Sequence, residues 1–208
     1  MSSKEKVRKI VYFAILLSIE TIFSFTILGQ IPVGPIVMTL SMIPIIITSL
    51  TLGMIYGSIM GFVGGLYSFI YFTFINPGIT SFVFTPFVSI GSYTGNVWSL
   101  VICFIPRILT GLFPALFYNS LTKVNPKLDK LWLVLASLIG SLTNTILVLG
   151  GIWLFFGKEY SDVIGGAIHI LIGTTILTNG LPEAILSTLA CPLVVIGINS
   201  IRKTKRVD

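Results

Sequence analysis

The chain has 208 residues, 54% of them hydrophobic and only 10% charged, with a mean hydropathy of +1.01. Soluble domains carry roughly a quarter charged residues, so this is the composition of a membrane protein. One spanning helix takes about 20 apolar residues, which leaves room for about six spans and short loops but no soluble nucleotide-binding or regulatory module. The net charge of +6 is no nucleic-acid footprint, because the basic residues flank apolar segments instead of forming one stripe.

Taken in order, the first predicted helix covers about residues 10–28, behind the basic cluster Lys4, Lys6, Arg8 and Lys9. It is too long for a signal-peptide core and no small-residue cleavage site follows, so it reads as an uncleaved span. It ends in Gly29-Gln30-Ile31-Pro32-Val33-Gly34-Pro35. A second helix is expected over about residues 36–50, weakening toward Leu52, with a kink at Pro44. A third runs over about 53–74 and stops before Asn76-Pro77-Gly78, and a polar and aromatic connection spans about 79–96. The fourth takes about 97–121; after the loop with Asn125, Pro126, Lys127 and Asp129, the fifth takes about 131–156. The apolar stretch over about 163–198 exceeds one span at 1.5 Å per residue, and Thr178-Asn179-Gly180-Leu181-Pro182 interrupts it. The sixth helix is therefore expected over about 181–198, preceded by a helical or re-entrant piece over about 162–177.

The expected fold is all-α: one polytopic transmembrane domain over residues 1–208 with about six spans. All but two of the basic residues sit at the N-terminus, in the loop with Lys123, Lys127 and Lys130, or at the C-terminus with Arg202, Lys203, Lys205 and Arg206. An even span number puts these three clusters on one side, so both termini are expected in the cytoplasm, facing anionic lipid. Cys103 and Cys191 lie in apolar segments and read as inert buried thiols.

The polar residues inside the apolar runs carry the chemistry. Gly53, Gly57, Gly61 and Gly65 form a ridge on one face of the third helix, a surface for close packing, and Ala14 and Ser18 are a smaller version on the first. Arg107 follows Pro106, which cannot donate to the carbonyl of Ile102, so the helix is expected to bend there and free an acceptor. A buried arginine costs about 2.5–3.5 kcal/mol on insertion scales. It either pairs with Glu20 or Glu183 or captures an anionic group with its two-pronged guanidinium. Glu183 follows Pro182 and suits the first turn of a helix, where the dipole favours an acid. Asn179 and Gly180 sit at the interruption just before it, the kind of break that points to a transporter site. Asn144, flanked by Thr143 and Thr145, adds amide and hydroxyl groups at similar depth; alone it would read as helix–helix glue. Together, Arg107, Asn144, Asn179 and Glu183 are the candidate ligand site.

No G-x-x-x-x-G-K-[ST] loop is present, and His169 stands alone without an H-E-x-x-H pattern, so neither ATP binding by that route nor a zinc protease is indicated. No metal or cofactor is expected, and uphill transport would need an ion gradient or a partner. An intramembrane enzyme using Glu20, Arg107 and Glu183 would lack a nucleophile–base pair.

Several stretches together resemble the substrate-binding S component of energy-coupling factor (ECF) vitamin transporters. They are Ile31-Pro32-Val33-Gly34-Pro35, Met42-Ile43-Pro44, the glycine-rich third helix, Phe84-Thr85-Pro86-Phe87 and Ile105-Pro106-Arg107-Ile108-Leu109. Gly140-Ser141-Leu142-Thr143-Asn144-Thr145 and Asn179-Gly180-Leu181-Pro182-Glu183-Ala184 complete the set, in order along nearly the whole chain. The pattern is most similar to the pantothenate-type branch, with one departure: His often precedes Ile-Pro in the second helix there, and Met42 stands here. The resemblance implies a six-helix protein of the prokaryotic plasma membrane. It would hold a vitamin near the extracellular face beneath the loops after helices 1, 3 and 5, with no ATPase activity of its own. It also implies docking on a transmembrane coupling protein that carries two cytosolic ATPases, and gives Ala14 and Ser18 the docking role. An S component for folate, riboflavin or a pyrimidine, and a stand-alone ion-coupled carrier, are the alternative readings.

Overall fold

The computed structural model describes residues 3–26, 29–33 and 36–204, with the side chains of 30–38 and 201–204 left out of the description. Helix α1 (Ser3–Phe25) leads into a hairpin of β1 (Gln30–Val33) and β2 (Ile36–Thr39), antiparallel with Gln30 opposite Thr39. Helices α2 (Met42–Leu52) and α3 (Met54–Ile70) follow, and α3 runs on through a π-helical turn, Tyr71–Ile75. A loop with a 3₁₀ turn (Ser81–Val83) and a two-residue hairpin of β3 (Ser89–Ile90) and β4 (Tyr93–Thr94) leads to α4 (Val97–Val124). Helix α5 (Asp129–Ile164) is kinked at Phe156. Helix α6 (Ile168–Thr175) continues through a π-helical turn (Ile176–Gly180) into α7 (Leu181–Thr204).

Four of these rods are long and apolar enough to cross a membrane: Met54–Ile75, Val97–Val124, Pro126–Ile164 and Ile168–Ser200. Their outward residues are apolar, as in Ile55, Leu154 and Leu193, each about 70% exposed. That is the pattern of a protein whose solvent is lipid.

Three expectations are corrected. Residues 36–39 are not the start of the second helix but a hairpin strand, because Pro32 and Pro35 disfavour a helix there. Helix α2 thus begins at Met42, and at 11 residues (about 16 Å) it is too short to span a bilayer. Pro44 consequently falls in the first turn, where no intrahelical N–H is lost and no kink arises. The last segment is also not broken. The chain is helical from Ile168 to Thr204, and what the Asn-Gly-Leu-Pro sequence produces is one wide π turn. The first helix ends at Phe25; its predicted end at residues 27–28 lies outside the described residues.

Gly53 turns α2 back into α3 at φ +97°, a conformation open to glycine and few other residues. The ridge predicted on α3 is the packing seam with α4. Gly57 meets the backbone carbonyl of Gly111, and Gly61 meets that of Arg107, at distances that leave no room for a Cβ. Two buried clusters fill the bundle. One, around Phe72, Phe82, Ile102, Ile152 and Tyr160, lies toward the hairpins; the other, around Leu16, Ile46, Met60, Leu133 and Val195, lies toward the Lys-rich loop. Cys103 and Cys191 are both buried and free.

Candidate functional site

The site starts from a missing hydrogen. Pro106 has no N–H, so the carbonyl of Ile102 lacks its helical partner. Arg107 Nη1 donates to that carbonyl at 2.9 Å, so the guanidinium folds back along α4 and satisfies the acceptor that its neighbour released. The group lies over the Phe84 ring, 5.5 Å from the centroid, and Phe84 in turn stacks on Phe72 at 4.6 Å. Of its five N–H donors, this is the one that a described residue engages.

Arg107, Asn144, Asn179 and Glu183 all line one cavity, together with Thr39, Phe72, Phe84, Thr145, Val148, Leu149, Thr175 and Gly180. The lining side chains crowd its centre, leaving a narrow slot. All four predicted residues are under 9% exposed. The π turn is what aims Asn179 inward: the added residue per turn widens the helix at this point, and Thr178 Oγ1 fixes Asn179 by donating to Oδ1 at 2.6 Å. Gly180 lets α7 approach Thr145 of α5, where a Cβ would stand 2.8 Å from Thr145 Cγ2. Asn144 turns its amide into the cavity with no protein hydrogen bond among the described residues.

Glu183 does not sit at a helix start, since the helix runs unbroken through it, and the dipole argument for its position falls. Its Oε1 accepts instead from the backbone N–H of Thr39 at 2.7 Å, tying the β1–β2 hairpin to α7 across the cavity. Irregular backbone inside an apolar bundle is tolerated where it lines a cavity or is satisfied by protein, and both hold here. Glu20 is fully buried on the inner face of α1: Ser24 donates to Oε1 at 3.2 Å, and Oε2 has no hydrogen-bond partner among the described residues. Neither carboxylate forms an ion pair with Arg107 within 4.0 Å, although both act on its guanidinium electrostatically. Arg107 is thus not locked in a salt bridge. Ala14 and Ser18 are elsewhere, exposed on the outer face of α1, where Ser18 Oγ donates to the carbonyl of Ala14 at 3.0 Å.

The sequence left Thr39, Phe72 and Phe84 unassigned. Phe84 carried a signal in Phe84-Thr85-Pro86-Phe87; Thr39 carried none, because it contributes its backbone amide.

Residues 8–195 match the family described as ECF transporter, substrate-specific component. The chain belongs to that family. Over 194 residues, 92% of either chain, it is 35% identical to the pantothenic acid transporter PanT of Lactococcus lactis subsp. cremoris (strain MG1363). The solved structure of ThiT from Listeria monocytogenes overlays on 90% of this chain and 94% of its own, with a TM-score of 0.50 at 16% identity, a likeness of fold alone. This protein is accordingly an ECF substrate-specific component, a multi-pass membrane protein of transport and not an enzyme. Components of this family take vitamin substrates and pair with an ECF module.

Proposed function

We propose that this substrate-specific component binds pantothenate in the Arg107 cavity and delivers it inward when docked on an ATPase-driven module. The single observation carrying the ligand is a guanidinium with N–H groups that no described residue engages, at one end of a slot whose other walls are amide, carboxylate and aromatic. Pantothenate offers a matching sequence of groups: a terminal carboxylate, an amide, two hydroxyls and a gem-dimethyl centre. Arg107 takes the carboxylate, Asn144 and Asn179 take the amide and hydroxyls, and Phe72, Phe84, Val148 and Leu149 form the apolar wall for the methyl groups. The 35% identity to a pantothenic acid transporter supports the same ligand.

The chain works as one transmembrane unit over residues 1–208 with six spans in the plasma membrane, α2 with its hairpin counting as the second. Both termini and the Lys123–Lys130 loop are cytoplasmic, by the excess of basic residues on that side. The β1–β2 hairpin then faces outward and roofs the cavity. Ala14 and Ser18, small and exposed on α1, are the contact for a transmembrane coupling protein that carries two cytosolic ATPases.

Binding of radiolabelled pantothenate to the detergent-purified protein tests the ligand, alongside mass spectrometry of small molecules that co-purify. Arg107→Ala removes a charge-assisted bond worth about 1.5–3 kcal/mol and is expected to weaken binding roughly ten- to a hundredfold. Unchanged affinity would take Arg107 out of the site.

A further inference from the structure

Building on the reading of an anionic ligand, we infer that capture of the ligand carboxylate at Arg107 draws one proton into the cavity and places it on Glu183. A count of buried charge carries this. Arg107 is the one charged side chain acting on Glu183 among the described residues. Before the ligand arrives, one guanidinium and one carboxylate face the same narrow slot, while Glu20 acts on the guanidinium from outside it. The amide of Thr39 supports the ionised form of Glu183 through its 2.7 Å bond to Oε1. A ligand carboxylate on Arg107 makes two negative charges for one positive, between side chains that are themselves buried. Like charges sharing such a site do not both stay ionised.

The geometry also says which group takes the proton. The ligand carboxylate can face the guanidinium directly and use two of its N–H groups at once, whereas Glu183 makes no ion-pair contact with it. Glu183 Oε1 is engaged by Thr39, while Oε2 has no protein hydrogen bond among the described residues. Protonated at Oε2, Glu183 stops repelling the ligand and becomes a donor for a hydroxyl or amide oxygen. Among the described residues nothing else near it competes. Helix α2, β2, the Ile176–Gly180 turn and the middle of α5 bring, among those residues, the Thr39 amide, Asn144, Thr145 and Asn179, none of which titrates. The titratable groups of α5 lie near its ends (Asp129 and Lys130, then Lys158, Glu159, Tyr160 and Asp162), and His169 is several turns earlier in the chain on α6. From α4, Cys103 faces Arg107, and from α1 Glu20 acts on the same guanidinium, but neither lines the cavity.

Calorimetric titration of pantothenate into the purified full-length protein, near pH 7.5 in phosphate, HEPES and Tris, reads the proton directly. The observed enthalpy should vary with buffer ionisation enthalpy with a slope of about one proton taken up per ligand. Affinity should fall by up to about tenfold per pH unit on the alkaline side. In Glu183→Gln, neutral and of the same shape, the slope should drop to zero; in Glu20→Gln it should persist. Pantothenate binding with no buffer dependence in the wild type overturns the inference and leaves the ligand assignment standing. A slope that survives Glu183→Gln, or vanishes in Glu20→Gln, overturns the placement on Glu183. No binding of pantothenate by the wild type removes both.

Discussion

Gly61→Ala probes whether the α3–α4 seam positions the site. A Cβ at Gly61 would meet the carbonyl oxygen of Arg107 itself, with the carbonyl carbon of Arg107 at 2.7 Å and Ile108 Cα at 2.9 Å. Ordinary contact begins at 3.4 Å; the carbonyl carbon alone requires α4 to withdraw by about 0.7 Å, and the closer carbonyl oxygen requires more. Those atoms are backbone, and no side-chain rotation relieves them. Overpacking of this kind costs about 1–3 kcal/mol, and about 2–4 °C of melting temperature per kcal/mol in a chain of this size. The clash falls on the residue carrying the guanidinium, so the shift also changes the position of Arg107 relative to Asn144 on α5 and Asn179 in the π turn before α7. A ligand bonded across those helices is expected to bind about tenfold more weakly. Gly173→Ala is the control, because nothing lies within 4 Å of its added methyl. Melting in detergent and pantothenate binding, run on both variants, decide the matter. If Gly61→Ala melts and binds like the wild type, or Gly173→Ala is equally damaged, the seam does not set the geometry of the site.

Thr39→Pro deletes the amide that Glu183 accepts from, a bond worth about 0.5–1.5 kcal/mol once the ligand is bound and Glu183 is neutral; pantothenate release measured by filter-binding chase should accelerate roughly two- to tenfold. An unchanged rate would mean that this bond does not hold the hairpin shut. Beside the β3–β4 hairpin, Tyr93 donates to Asp162 Oδ2 at 2.7 Å, and the carboxylate holds the phenol above its usual value of 10.0. With the folded-state value raised, the tie is complete below about pH 10 and lost as pH rises through the folded value. Proteolysis of the β3–β4 loop should therefore speed up at alkaline pH in the wild type, while Tyr93→Phe is cut quickly at every pH. Leucine at Ala14 and Ser18 together should leave pantothenate binding intact and abolish co-purification with the coupling protein and ATPases; retained co-purification would move the docking surface off this face of α1.

Much of the bundle is legible from periodicity and composition, because each long helix buries its own backbone hydrogen bonds and needs only apolar residues to sit in lipid. Thus α3, α4 and α5 lie close to where the apolar runs put them. The failures fall where the chain is not an ordinary helix. The β1–β2 hairpin was hidden in an apolar stretch whose hydrophobic content suits a strand as well as a helix. The Asn179-Gly180-Leu181-Pro182 sequence looks like a break and is a π turn, since Pro182 near the start of α7 meets a helix already widened by one residue. Arg107, Asn144, Asn179 and Glu183 could be named singly because polar groups in a membrane segment stand out.

By itself, the sequence determined that the chain lives in lipid, which residues are polar within it, and that Pro106 would leave a carbonyl without its helical partner. Those properties depend on neighbours along the chain. Only the tertiary structure decided that Arg107 answers that carbonyl, that Phe84 lies beneath the guanidinium, and that Glu183 holds an amide 144 positions away in the chain. Such partners are chosen by how the helices pack against one another, and nothing in local composition encodes the choice.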